Sequence, residues 1–183
     1  GTILLDANGE KTHSYGQFPT IFNQLKSNTL LSIYKKFFKP KRKFPNEELF
    51  PVEYITGADL FVRKSVIDKL GAFDKDFFMY YEETDMQRRY TNHGYRSYIF
   101  SKPIIYHFQG GSATGVKLSS QLIYRRGQIT YMKKNLSKIN FRIYQTLSFL
   151  LGMPLFLYFV IKSKHKFHEK IKFLKSAYDL KNI

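Results

Sequence analysis

Cysteine is absent from all 183 residues. Neither a disulfide framework nor a thiolate zinc site can form, any metal has to be held by oxygen or imidazole, and the redox compartment leaves no mark on the chain. An initiating Met is missing too, and the opening GTILLDANGE lacks the basic-then-apolar layout of a secretory leader, so it reads as the start of an excised piece. Acid is scarce and unevenly spread. Ten of the 14 Asp and Glu lie between Glu47 and Asp85, whereas Met86 to His168 holds no acid and 14 Lys or Arg, within a formal net charge of +16. A basic half of this kind suits a polyanion, an anionic membrane face or a phosphorylated substrate, and a lysine-rich solvated surface explains the charge equally well. No RNP-like, zinc or helix-turn-helix pattern accompanies it, and the acidic aromatic block would repel phosphates, so nucleic acid is not the expected partner.

What is present bounds the fold. At 43% hydrophobic and 17% aromatic residues the chain can bury one real core, and its length favours a single domain. FPTIFNQLKSNTLLSIYKKFF (18–38) carries Ile21, Leu25, Leu30, Leu31 and Tyr34 at roughly helical spacing, and KPKRKFPNEE breaks it as an exposed loop. VEYITGADLFVRKS predicts strand, glycine turn and strand. Ser65 with Asp68 predicts a capping box for a short helix ended by Gly71. A helix is expected from Glu82 to about Asn92, stopped by Gly94, with YRSYIF and PIIYHF as short strands after it.

FFMYYEETDMQRRY (77–90) is where acid concentrates. On the expected helix Glu82 and Asp85 share a face, Asp85 and Arg89 are spaced to pair, and Glu83 points about 100° away from Glu82. Acids in a first helical turn complement the macrodipole by about 0.3–1 kcal/mol each, which alone would explain them. Their place behind Phe73, Phe77, Phe78, Tyr80 and Tyr81 adds another role, because burial raises a carboxylate's pKa and makes it a better proton acceptor at neutral pH. His107 then ends an apolar strand and is followed by the glycine-rich FQGGSATG.

TGADLFVRKSVIDKLGAFDKDFFMYYEETDMQRRYTNHGYRSYIFSKPIIYHFQGGS (56–112), with its GA turn, G-x-FD-x-x-FF-x-Y-x-E block, GY pair and H-x-x-G-x-S end, resembles the C-terminal half of family 2 glycosyltransferases. These are inverting enzymes of the GT-A fold, and the likeness is to the rhamnosyltransferase-like branch. Residues 1–25 resemble the family's segment from D-x-x-G to FPT. The resemblance implies an α/β fold whose sheet is incomplete, with residues 1–140 as the acceptor-side half and residues 141–183 as C-terminal helices.

It places Glu83 at the general base, where the family usually has Asp; Glu keeps the chemistry and lengthens the arm by one methylene. Gly57, Ala58 and Asp59 would line the sugar and acceptor pocket. Glu82 and Asp85 would orient the acceptor or the helix, Arg89 would pair with Asp85, and His107 matches a position that helps hold a divalent cation, Mn or Mg. The implied partners are a nucleotide-sugar donor and a glycan or lipid-linked acceptor, in bacterial surface polysaccharide or cell-wall synthesis. The family's acidic D-x-D has no counterpart here: Asp74 and Asp76 form DKD inside the FDKDFF block and cannot take that role. The chain alone is therefore expected to be inactive, and its open sheet edge could pair with a second copy.

IYQTLSFLLGMPLFLYFVI (143–161) has no charge and would span about 28 Å as a helix, close to a bilayer core. Gln145, Ser148, Gly152 and Pro154 argue against a crossing. Lys133, Lys134, Lys138 and Arg142 before it, with Lys162, Lys164 and Lys166 after it, put both flanks on the cytoplasmic side. A hairpin-like or interfacial helix is expected, and FHEKIKFLKSAY adds a basic amphipathic helix, giving a peripheral or monotopic protein at the cytoplasmic membrane face. A buried core helix with a solvated one is the plainer alternative. As a function class, a noncatalytic basic module binding membrane or nucleic acid is the alternative to the enzyme.

Overall fold

Just after Gly1 and Thr2 come three consecutive apolar residues, Ile3, Leu4 and Leu5, and all three are buried. Ile3–Leu5 form strand β1, which pairs in parallel with β6 (Ile104–Tyr106) in the register Ile3 to Ile104 and Leu5 to Tyr106. A run buried on both faces is what a parallel strand requires. The computed structural model describes residues 1–27, 44–108 and 117–162, together with Ile171. The expected helix beyond residue 27, the glycine-rich loop from residue 109 to 116 and the basic amphipathic helix near the C-terminus lie outside those residues, apart from Ile171.

Two compact units divide the chain, where length alone favours one domain. The first comprises residues 1–18 and 43–117, and the second residues 19–42 and 118–183. The boundary expected near residue 140 falls inside the second unit.

In the first unit, β2 (Tyr15–Gly16) pairs antiparallel with β4 (Tyr54–Ile55), and β3 (Leu49–Val52) pairs antiparallel with β5 (Ser97–Phe100). The architecture is thus mixed α/β with small sheets. Ile3, Leu5, Phe50, Ile55 and Ile99 make one buried cluster drawn from four strands, β1, β3, β4 and β5. The remaining edge of β1 is occupied by backbone and side chains together: Thr12 N–H donates to Leu4 O at 2.8 Å, and Leu5 bridges Lys11. Leu4 N–H donates to Ser14 Oγ at 2.8 Å, and Thr2 donates its N–H and its hydroxyl to Asp59 Oδ2.

Helices α2 (Lys64–Leu70) and α3 (Glu82–Thr91) meet around Val66, Met86 and Tyr90. Burying each such side chain contributes about 1.5–3 kcal/mol. Leu60 and Val62 pack on that cluster while Phe61 stays exposed. The alternation that predicts a second strand here serves helix packing, and residues 60–63 form no ladder. The capping box is also corrected. Ser65 sits inside the helix, whose N-cap is Arg63 with no side-chain bond. Gly71 ends the helix as expected, at φ 78° with its N–H on Ile67 O. Arg89 does not pair with Asp85; its guanidinium donates to the carbonyls of Leu70, Gly71 and Ala72, stitching α3 to the end of α2. Three carbonyls at and just beyond the end of α2, none with a helical partner, together engage the guanidinium fork more fully than one carboxylate would.

The second unit contains α1 (Ile21–Ser27), α4 (Lys117–Asn135) and α5 (Lys138–Lys162). Ile129, Tyr131, Met132 and Tyr144 are buried in it. A polar link crosses it: Gln128 Nε2 donates to Gln24 Oε1, and Arg125 donates to Gln128 Oε1. Ser137 caps α5, its Oγ accepting from Asn140 N–H at 3.2 Å. From that cap the chain runs as one helix through Pro154, so the hairpin-like alternative is not adopted. No helix among the described residues is long and apolar enough to cross a membrane.

Candidate active site

The acidic block begins the helix α3 abruptly. Tyr80 and Tyr81 both stand at positive φ, 67° and 71°, and no side-chain hydrogen bond caps the helix at its N-cap, Tyr81. Two adjacent non-glycine residues in the left-handed region are costly, about 1–2 kcal/mol each. They turn the chain so that Glu82 and Glu83 enter the helix directly after the aromatic run. Of the five aromatics expected to wall off the acids, Phe77 and Tyr81 are buried, whereas Phe73 and Phe78 are exposed and Tyr80 is on the margin. The wall is therefore partial.

Glu83 is the perturbed carboxyl of the block. Burial pushes its pKa above the ordinary value of 4.5, and the neighbouring Glu82 charge pushes the same way. Backbone N–H groups of Glu83, Thr84 and Gly57 pull it partly back. Gly57 lies directly against it: a Cβ at that position would stand 3.9 Å from both Cβ and Cγ of Glu83. The glycine turn and the start of the acidic helix thus lie side by side.

The turn itself is a 3-10 segment, Gly57–Asp59, following β4. Gly57 and Ala58 are exposed. Asp59 is only 4% exposed and directs Oδ2 to Thr2, so it anchors the first strand as well as following the turn. Asp85 is buried in the first turn of α3, its N–H bonded to Tyr81 O at 2.8 Å. Four buried oxygens in these segments have no hydrogen-bond partner: Thr56 Oγ1, Asp59 Oδ1, Glu82 Oε2 and Glu83 Oε2. Three belong to carboxylates, so their capacity is to accept protons or hydroxyl donors.

Gln87 is the residue that sequence reasoning missed. It is 2% exposed and one turn beyond Glu83. Its Oε1 accepts from Ile55 N–H at 2.8 Å and Ser97 Oγ at 3.0 Å; its Nε2 donates to Ile55 O at 2.7 Å and Glu83 O at 2.9 Å. The whole hydrogen-bonding capacity of the amide is used, and it couples β4, α3 and β5. Because β4 leads into the Gly57 turn, Gln87 sets where that turn lies relative to Glu83. Only its position at i+4 from the base could have pointed to it.

His107 follows β6 and is held there by its backbone, its N–H donating to Leu5 O at 2.8 Å. Among the described residues no three His, Asp or Glu groups come together to hold a metal ion. The divalent cation implied by the resemblance therefore does not fit these residues alone.

With this geometry in view, the chain is similar to N-acetylglucosaminyl-diphospho-decaprenol L-rhamnosyltransferase of Mycobacterium tuberculosis, in strains CDC 1551 / Oshkosh and ATCC 25618 / H37Rv. Each is 27% identical over 113 residues, which cover 58% of this chain and 36% of the relative. The match thus spans little more than a third of those relatives' length. No protein-family model matches the chain, and no solved structure matches it. The relationship to glycosyltransferases rests on these relatives.

Proposed function

We propose that this chain is the acceptor-side, C-terminal part of an inverting glycosyltransferase of family 2 and GT-A type, with Glu83 as its general base. The observation that carries the reading is Glu83 itself, a half-buried residue with its Oε2 closed off from solvent and its pKa raised, placed against the glycine turn at the start of α3. A carboxylate poised closer to neutrality takes a hydroxyl proton more effectively than an ordinary surface acid.

In this reading Glu83 Oε2 accepts the proton of an acceptor hydroxyl. The freed oxygen lone pair bonds to the anomeric carbon of the donor sugar from the face opposite the nucleoside diphosphate. The bond to the diphosphate oxygen breaks with its electron pair, and the configuration inverts. Glu82 and Asp59, each with a buried oxygen lacking a hydrogen-bond partner, would accept other hydroxyls of the acceptor, with Gly57 and Ala58 giving close backbone approach. Gln87 would hold the base and the turn in register.

Any metal would need ligands beyond the described residues, with His107 as at most one of them. The relatives' name, a rhamnosyltransferase acting on a diphospho-decaprenol compound, supports a lipid-linked acceptor; a nucleotide-sugar donor, a role in bacterial cell-wall or surface polysaccharide synthesis and a setting at the cytoplasmic face of the membrane are part of the proposal. The donor-binding half would lie elsewhere in the full-length protein.

The test is product analysis. The full-length protein is incubated with a panel of nucleoside-diphosphate sugars and an N-acetylglucosaminyl-diphospho-polyprenol acceptor, and the new anomeric centre is assigned by NMR. Transfer with inversion is expected. Transfer with retention, or no transfer from any donor by folded protein, would overturn the reading.

A further inference from the structure

Helix α5 is built the wrong way round for water. Its inward face carries Tyr144, Ser148 and Gly152, all buried, and Ser148 and Gly152 are small. Its outward face carries Ile139, Ile143, Leu147, Leu150, Leu157 and Ile161, with exposures from 37% to 80%. At 100° per residue these six fall within about 80° of one another and run for about 33 Å along the helix. A helix on a water-facing surface normally turns its aliphatic side chains inward and its polar ones outward. Small residues toward the neighbouring helices and large aliphatic ones outward is the arrangement that suits an apolar surrounding.

We infer that this face of α5 lies on an anionic lipid surface, with the helix axis in the plane of the interface. Charge complementarity selects that occupant. Lys133, Lys134, Lys138 and Arg142 are exposed around the N-terminal end of the stripe, Arg142 about 60° round the helix from Ile139. No acidic residue occurs anywhere from Met86 to His168, so no carboxylate on this helix or on α4 opposes a negative surface. An apolar stripe rimmed by cations is the pattern of interfacial binding. The inference deepens the membrane-face setting proposed above. It is read by lipid binding without turnover, so it and the assignment of Glu83 can fail separately.

The chain contains no Trp, which makes a single introduced Trp a clean reporter. Leu150→Trp is mixed with vesicles of phosphatidylglycerol and phosphatidylcholine, and with vesicles of phosphatidylcholine alone. Phe61→Trp, at an exposed site in the other unit, serves as the control. On the anionic vesicles Leu150→Trp should shift to the blue and be quenched by brominated acyl chains, while Phe61→Trp should do neither. The pair Leu150→Glu with Leu157→Glu should weaken co-sedimentation about tenfold or more, since each buried leucine is worth that factor. If that pair does not fold, Leu150→Ser with Leu157→Ser should weaken it in the same direction. Absence of a blue shift on anionic vesicles at low salt would overturn the inference. So would a blue shift that appears without lipid, grows with protein concentration and vanishes in the double variant, because the occupant would then be a second copy.

Discussion

Gln87 closes the strand edge that Ile55 presents, giving its N–H an acceptor at 2.8 Å and its carbonyl a donor at 2.7 Å. A helix side chain thus takes the place of a neighbouring strand. Replacement by Leu would keep the volume and leave the Ile55 N–H and C=O, the Ser97 hydroxyl and the Glu83 carbonyl without this partner. Each buried group left unsatisfied costs about 1–3 kcal/mol. Gln87→Leu should lower the urea midpoint clearly and speed hydrogen exchange at the Gly57 amide more than at amides of β1. An unchanged Gly57 exchange rate would mean that the turn is positioned by something else.

The strained entry to α3 gives a second expectation. Tyr80 holds φ at 67°, a region that Asn tolerates and a β-branched residue avoids. Tyr80→Asn and Tyr80→Ile both remove the ring, so their difference isolates the backbone. Tyr80→Ile should be the less stable by about 1 kcal/mol or more in denaturant titration. Equal midpoints would show that the left-handed turn is not retained.

Glu83 also makes stability depend on pH in a stated direction. Its folded pKa is raised above the ordinary 4.5, so the folded chain binds this proton more tightly than the unfolded chain. The favourable contribution is therefore complete below about pH 4.5 and is lost as pH rises through the folded pKa. Glu83→Gln, which cannot ionise, should be more stable than the parent at neutral pH, and the gap should close as pH falls toward 4. Melting curves across that range check it; a gap that widens on acidification would contradict the sign of the shift.

These properties were not equally legible in the sequence. The start of α3 at Glu82, its end before Gly94, the strands β5 and β6 and the Gly71 stop all follow from local signals within a few residues. The proximity of Glu83 to Gly57 has no local signal, since 26 positions separate them. Gln87 was invisible because a glutamine in a helix has no signature of its own and its strand partner is 32 residues away. The tie between Asp59 and Thr2 spans 57 residues and leaves no local signal for the same reason. The i,i+4 spacing of Asp85 and Arg89 counts only their own helix, whereas the carbonyls that Arg89 binds lie at and just past the end of α2. In α5 the composition was plain, but only the fold shows that the aliphatic side faces out.

The most direct measurement compares Glu83→Gln with the parent sequence in the full-length protein, following turnover and calorimetric donor binding together. A general base at Glu83 predicts turnover lower by roughly 10²–10⁴ with donor affinity nearly unchanged. Turnover equal to that of the parent in a folded Glu83→Gln protein would contradict it.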